Sequence, residues 1–263
     1  MPDAQPAAPD GVRRRVAVVT GGAQGIGASI VARLLADDCI TVVLDRDADA
    51  LAAQRAGAAG RYDAVPCDVR SPQEVADAFA TVVRRHGAVD VLVANAGVHR
   101  PAMLRDATVE EWDEVFGVNT RGVFLTVKAA APHMMRAGWG RIILASSFAA
   151  IIPSVGSLAY AASKAAVVSM TRVLAAELGP HGITVNSYAP GMVPTQMLGL
   201  PAMSPARQEE LLDTLCIREW GRGEDIAALV AFLASDEARY ITGAHIDASG
   251  GKYAVQFPKL ARS

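Results

Sequence analysis

Hydrophobic positions in this chain fall in short, nearly unbroken runs separated by longer stretches of helical period. The runs at 15–19, 40–44, 62–66, 89–94, 140–145 and 183–188 are mostly apolar, and several are rich in Val and Ile. Runs of this length without polar alternation predict strands buried on both faces, as in a parallel sheet. A last short run, at 244–247, predicts one more strand. Between the runs, apolar residues recur at helical spacing: from the glycine turn to Ala36, and over 48–59, 71–86, 110–135, 158–178, 205–216 and 224–234. Ser71 suits a helix cap, Pro72 the first helical position, and Glu74 the closing member of a capping box. The 110–135 helix is expected to break near Gly117, with Asn119 in its middle. Strand and helix alternate without an internal repeat or linker, which predicts an α/β fold: a parallel sheet covered by helices on both faces.

Composition narrows the function classes. The chain has 263 residues, 51% of them hydrophobic, enough for one α/β domain with a large core. A formal charge of -2 gives no electrostatic case for nucleic acid or an acidic membrane. The run Arg13-Arg14-Arg15 reads as a solvated flank of the first strand. Residues 1–12 are rich in Pro and Ala, lack the basic start and apolar middle of a signal peptide, and predict a disordered tail before a single domain over 13–263. No run approaches the roughly 18 apolar residues of a membrane span. Cys39, Cys67 and Cys216 are odd in number and far apart. They suggest core thiols and a reducing, cytoplasmic setting. Neither they nor the scattered His86, His133 and His181 have metal spacing.

Chemistry enters at two stretches. The first is Thr20-Gly21-Gly22-Ala23-Gln24-Gly25-Ile26-Gly27, between the first strand and the first helix. Glycines there allow a tight turn and close approach of a pyrophosphate to a helix N-terminus. Asp45, about 20 positions on at the end of the second strand, is placed to accept from both ribose hydroxyls of an adenosine and to repel a 2′-phosphate. Gln24 brings no compensating charge, so NAD is the expected cofactor. Arg46 is the residue that would accept the phosphate of NADP. The second stretch is Tyr160-Ala161-Ala162-Ser163-Lys164, which sets a phenol and an ammonium one helical turn apart. A lysine charge at ~4 Å contributes about 4 kcal/mol at an effective dielectric of ~20, which predicts a phenol pKa lowered by roughly 2–3 units before screening. That brings it towards the range of a general acid/base.

With these residues in place the chain resembles the classical short-chain dehydrogenase/reductase family from about Arg15 to Gly251. The resemblance implies a single-domain Rossmann-type, doubly wound parallel sheet. It assigns Thr20 to Gly27 to the cofactor turn, Asp68 and Val69 to the adenine, and Asn95-Ala96-Gly97 to the support of the central strand. It makes Asn119, Ser147, Tyr160 and Lys164 the catalytic tetrad. Ser147 has the family's spacing to Tyr160, and Ser146 does not. Pro190, Gly191, Val193 and Thr195 correspond to the segment holding the nicotinamide, with Lys164 also reaching its ribose. A substrate lid is expected over about 192–220. The departures are Ala94-Asn95 where the family pairs two asparagines, and the stretched Asp247-Ala248-Ser249-Gly250-Gly251 near the end.

The same resemblance implies acid/base work for Tyr160, substrate positioning for Ser147, and a helix kink with a proton path to Lys164 for Asn119. Loops 98–105, 148–158 and 192–220 would line an apolar pocket, with Phe148, Ile151, Ile152, Val155, Met192, Met197, Leu198, Leu200 and Met203 on it. That suits a hydrophobic or cyclic secondary alcohol and its ketone. Arg100 or Arg105 could instead meet the phosphate of an acyl carrier, as in a 3-oxoacyl-(carrier protein) reductase. A related epimerase or dehydratase would need a longer substrate domain than this chain holds. A non-catalytic NAD-binding sensor is the remaining reading, against which an intact tetrad argues. The alanines 129–131, 165, 166, 175 and 176, on two long helices, are expected either to pair helices in a homotetramer or to pack on the sheet.

Overall fold

The strands are β1 (Val16–Thr20), β2 (Ile40–Asp45), β3 (Tyr62–Pro66), β4 (Val91–Ala94), β5 (Gly140–Ala145), β6 (Ile183–Pro190) and β7 (His245–Ala248). In the structure, a computed structural model describing residues 13–55, 60–195, 197, 199, 203–255 and 258, they form one parallel sheet ordered β3-β2-β1-β4-β5-β6-β7. Period-2 geometry explains why the strands read as unbroken apolar runs. Val16 and Val18 face one core with Val42, Leu92 and Ile142, while Ala17 and Val19 face a second with Val43, Val93 and Ile143. The helices α1 (Gly25–Ala36), α2 (Ala48–Arg55), α3 (Pro72–His86), α4 (Val109–Phe116), α5 (Gly122–Ala137) and α6 (Leu158–Leu178) follow in order, then α7 (Pro205–Leu212) and α8 (Gly223–Ala234). α3, α5 and α6 cover the first core; α1 and α8 cover the second. The strand order reverses between β1 and β4, so a crevice opens at their carboxyl ends.

The expected elements are present, with differences at their ends. The strand expected over 89–94 begins at Val91, because Asp90 serves its neighbours instead. Its carboxylate accepts from the Val16 N–H at 2.7 Å and from Arg13 at 2.7 and 2.9 Å. The three arginines before β1 are therefore not a merely solvated flank: Arg14 pairs with Asp38, and Arg15 pairs with Asp236 while stacking on Trp139. At Ser71 only half of the capping box forms. Ser71 accepts from the Glu74 N–H, but the Glu74 carboxylate turns to the Asp68 N–H at 2.9 Å. A complete box forms at α4, between Thr108 and Glu111. β6 runs on to Pro190, and the helix expected over 205–216 stops at Leu212. Cys39 and Cys67 are buried and burial pushes their thiols up to about 11 and about 12, but Cys216 is exposed. The predicted tail at 1–12 and the end of the 48–59 helix lie outside the described residues. Among the described residues, no helix is long and apolar enough to cross a membrane and no cluster of His, Cys, Asp or Glu could hold a metal.

Candidate active site

A cavity of about 800 Å³ fills the crevice, from Asp45 at one end to Tyr160 and Lys164 at the other. Its floor is the turn between β1 and α1. Gly21 has φ +62, and a Cβ there would lie 2.8 Å from the Ala96 Cα. A Cβ on Gly27 would lie 2.0 Å from the Gly21 carbonyl oxygen. No side chain fits between these backbones, and α1 begins at Gly25, so its unpaired N–H groups meet the cavity. This cradle has the shape and the donors that a dinucleotide pyrophosphate needs. Thr20 holds the turn from behind: its hydroxyl accepts from the Asn95 and Ala96 N–H groups at 3.0 and 3.1 Å. The Asn95 amide donates to the carbonyls of Thr20 and Gly21 and accepts from the buried Tyr188 hydroxyl. One asparagine therefore joins β4, β1 and β6, and Ala94 in place of a second amide is simply buried.

At the far end, Asp45 accepts from the Ala23 N–H at 3.2 Å and the Asp47 N–H at 3.1 Å. Asp47 also lines the cavity and holds the Gln24 amide at 3.1 Å. Arg46 is exposed at the same rim. Asp68 and Val69 line the cavity as expected, but the Asp68 carboxylate is gripped by Arg70 and held below its ordinary pKa by that bond. Gly97, Pro190 and Thr195 complete the wall; Thr195 packs on Gly25, its Cγ2 3.3 Å from a Cβ built there. Thr20, Gly191 and Val193 do not line it. Val193 belongs to the core under the sheet, and Gly191 is pressed against Ser249, whose Cα would be 2.6 Å from a Cβ at that glycine.

The four residues expected to form the tetrad come from three elements, Tyr160 and Lys164 both lying on α6. Asn119 lies in a π-turn, Gly117–Arg121, that joins α4 to α5. The extra residue of that turn tips its amide out of the helix ladder. Its oxygen accepts from the Val98 N–H at 2.8 Å, and its nitrogen donates to the Val98 carbonyl at 2.9 Å and the Ser163 hydroxyl at 3.0 Å. Ser163 in turn donates to the Tyr160 carbonyl at 2.7 Å. Ser147 follows β5 and caps a short turn by accepting from the Ala149 N–H. Ser146 is structural, donating to the Lys164 carbonyl at 3.0 Å. Lys164 is 3% exposed and donates to the Ala145 carbonyl at 2.8 Å. A Cβ on Gly97 would touch both the Lys164 ammonium, at 3.4 Å, and the Asn119 oxygen, at 3.5 Å. The glycine keeps that junction open.

Electrostatics here reverse the expected sign. Burial raises the Tyr160 phenol above its ordinary value, and the Ser147 hydroxyl opposes that only in part. The same burial lowers Lys164 to about 8. The ammonium lies 5.7 Å from the centre of the Tyr160 ring and points its proton at a carbonyl, so loss of hydration outweighs attraction for both groups.

Of the residues expected to line a substrate pocket, Ile151, Ile152 and Val155 are exposed and stand outside the cavity, Met192 is buried away from it, and Met197 is exposed and lines it. Leu198 and Leu200 lie outside the described residues. Arg100 is not free for a phosphate, because its guanidinium closes on Glu114 at 2.8 and 2.9 Å. The charges of α7 and the turn after it pair with one another at the surface. Three contacts have no counterpart in the sequence reading. His99 packs on the Tyr160 ring with centroids 4.7 Å apart. The Tyr253 hydroxyl donates to the Ser147 carbonyl at 3.2 Å, and the half-buried Lys252 ammonium lies 6.0 Å from the Phe148 ring. His99 follows Asn-Ala-Gly by two places in a loop already marked as pocket lining; for the last two no local signal exists.

Comparison with known proteins agrees with this geometry. The family model described as Enoyl-(Acyl carrier protein) reductase matches residues 21–252. Short-chain reductase protein NovJ of Streptomyces niveus is 41% identical over 245 residues, 90% of this chain and 93% of NovJ. The structure of levodione reductase superposes with a TM-score of 0.88 at 29% identity, covering 92% of this chain and 99% of that one. The 3-ketoacyl-(acyl-carrier-protein) reductase of Brucella melitensis, solved with NADH, gives 0.86 at 30% identity over 91% and 98%. The chain belongs to the short-chain dehydrogenase/reductase family: it is an oxidoreductase with a Rossmann-type fold and a nicotinamide cofactor.

Proposed function

We propose that the chain is an NAD(H)-dependent enzyme interconverting a secondary alcohol and its ketone on a hydrophobic or cyclic small molecule. The observation that carries this is the position of the Tyr160 phenol, between Ser147 and Lys164 at the end of a glycine-floored cavity. The nicotinamide, when bound, supplies the hydride chemistry. Tyr160 gives its proton to the substrate oxygen in reduction and takes it back in oxidation. Ser147 orients that oxygen beside the phenol. Lys164 passes the replacement proton to the phenol, and Asn119, across Gly97, holds the water that leads protons to Lys164. Gly21, Gly25, Ile26 and Gly27 receive the pyrophosphate, with Asp68, Val69, Asn95, Ala96, Pro190 and Thr195 around the rest of the dinucleotide.

NAD is preferred over NADP on charge. Asp45 and Asp47 both line the adenosine end, against the single exposed Arg46. The exposed Ile151, Ile152, Val155 and Met197 support an apolar substrate, in keeping with the likeness to levodione reductase. The likeness to a 3-ketoacyl-carrier reductase favours a second reading, in which a 3-oxoacyl thioester is reduced. Arg105, exposed beside Asp106, would then be the arginine of that loop offered to a carrier phosphate. Initial rates with NADH and NADPH on cyclic ketones, sugars and a 3-oxoacyl thioester decide between them. We expect at least about tenfold higher kcat/KM with NADH, a difference of ~1.4 kcal/mol, fastest turnover on cyclic ketones, and no turnover by Tyr160→Phe with NADH binding kept. Equal use of both cofactors, or fastest turnover on the thioester, overturns the corresponding part. A homotetramer paired through α5 and α6 belongs to the same proposal.

A further inference from the structure

The segment just after Asn95-Ala96-Gly97 is held at three consecutive residues. Val98 has both its N–H and its carbonyl bound to the Asn119 amide, at 2.8 and 2.9 Å. Arg100 is forked onto Glu114 of α4 and also donates to the His99 carbonyl at 3.1 Å. Between them, the His99 imidazole is aimed at α6. Its Nε2 lies 3.2 Å from the Ser157 hydroxyl, and its ring packs on the ring of Tyr160 at 4.7 Å between centroids, with 48° between the planes. The loop beyond is closed by a second tie, the Ala102 N–H to the Gly156 carbonyl at 2.9 Å, inside a parallel bridge between Ala102 and Ser157.

We infer that His99 is a positioning residue for the proton-transfer step, its ring forming the wall that holds the Tyr160 phenol towards Ser147. The inference rests on the role proposed above for Tyr160. A phenol on a helix surface has two main χ1 choices and a free χ2, and a neighbour filling one side removes the unproductive ones. Ser147, on the other element, fixes where the productive position is. His99 cannot drift, because the residues on both sides are tied to α4 and the π-turn. Burial, with Arg100 adding to it, lowers the imidazole below its ordinary pKa, which keeps the ring neutral and able to pack at neutral pH. The ring contact, rather than the bond to Ser157, is what reaches Tyr160.

Three variants separate these contacts. His99→Ala removes both, His99→Phe keeps a ring against Tyr160, and His99→Gln keeps a polar group for Ser157 without the ring. We expect kcat for ketone reduction by His99→Ala to fall between about 10-fold and 100-fold, the scale of a misplaced reacting group. The KM for NADH should stay within about twofold, because the glycine cradle is untouched. His99→Phe should recover most of kcat, and His99→Gln should not. Full recovery by Gln but not by Phe, or an Ala variant within about twofold of wild-type kcat, overturns the inference. Circular dichroism and NADH titration show whether each variant is folded. Tyr160→Phe is the control: if it turns over, the assignment of Tyr160 fails, whereas an inactive Tyr160→Phe beside an unaffected His99→Ala removes only the role of His99.

Discussion

Lys164 is the residue at which stability and chemistry pull apart. It is 3% exposed, and among the described residues its ammonium has one hydrogen bond, to the Ala145 carbonyl. Lost hydration lowers its pKa from 10.5 to about 8. Between those values the unfolded chain holds more protons than the folded one, so this group makes stability rise with pH there. Below about 8 the lysine is charged in both states and the full burial penalty is present. Lys164→Met keeps the volume and removes the charge. We expect it to be inactive yet more stable at pH 7, by on the order of 2 kcal/mol after the lost hydrogen bond is deducted. The advantage should shrink as pH rises past 9. Urea unfolding at several pH values checks it, and a Met variant less stable than wild type at pH 7 would show that the carbonyl bond dominates. The spacing of Tyr160 and Lys164 is readable in the sequence, since four residues are one helical turn. The direction of the phenol's shift is not, because burial comes from strands and loops far away in the chain. His99 is hidden for the same reason: its partner lies beyond the whole of α5 and β5.

Among the elements, the run from α4 through the π-turn to α5 does most to connect parts of the site. A break near Gly117 is legible in the sequence, and so is an asparagine out of place in a helix. What is not legible is that the break is a π-turn and that the amide reaches a separate loop. Asn119 is fully buried and serves the Val98 N–H, the Val98 carbonyl and the Ser163 hydroxyl. Removing it leaves buried polar groups without partners, at roughly 1–3 kcal/mol each. Asn119→Ala should therefore lower both the melting temperature and kcat. Asn119→Asp restores an acceptor for the Val98 N–H but sets a carboxylate against the Val98 carbonyl, so it should recover little. Thermal unfolding and steady-state rates on the two variants test this; an Ala variant of unchanged stability would mean that the loop finds other partners.

For the molecule as a whole, the alternation of strands and helices makes the sheet readable from end to end, while the sequence leaves open which helix faces stay at the surface. The alanines of α5 and α6 divide between the two expectations: Ala130, Ala131 and Ala175 are buried in the core, Ala165 and Ala176 are exposed, and Ala131 and Ala166 line a groove between the helices. Large residues stand out instead: Phe124 is 50% exposed, Met135 39% and Val173 54%. They border a groove of about 760 Å³ between α5 and α6, floored by Val127, Ala131 and Leu178. Helical periodicity cannot tell which of two apolar stripes meets the sheet when both are present on one helix. An exposed apolar groove of this size is what an interaction surface offers a partner. A second copy is the occupant we propose, with the same groove on each chain facing its mate about a two-fold axis. Light scattering at micromolar concentration should give a tetramer, in which this two-fold contact makes each pair and a second contact joins the pairs. Phe124→Glu and Val173→Asp should each lower the assembly mass while leaving the circular dichroism spectrum unchanged, because both side chains are solvated in the single chain. A wild-type monomer would refute the assembly, and charged variants that still assemble would move the interface elsewhere and leave the groove to some other role.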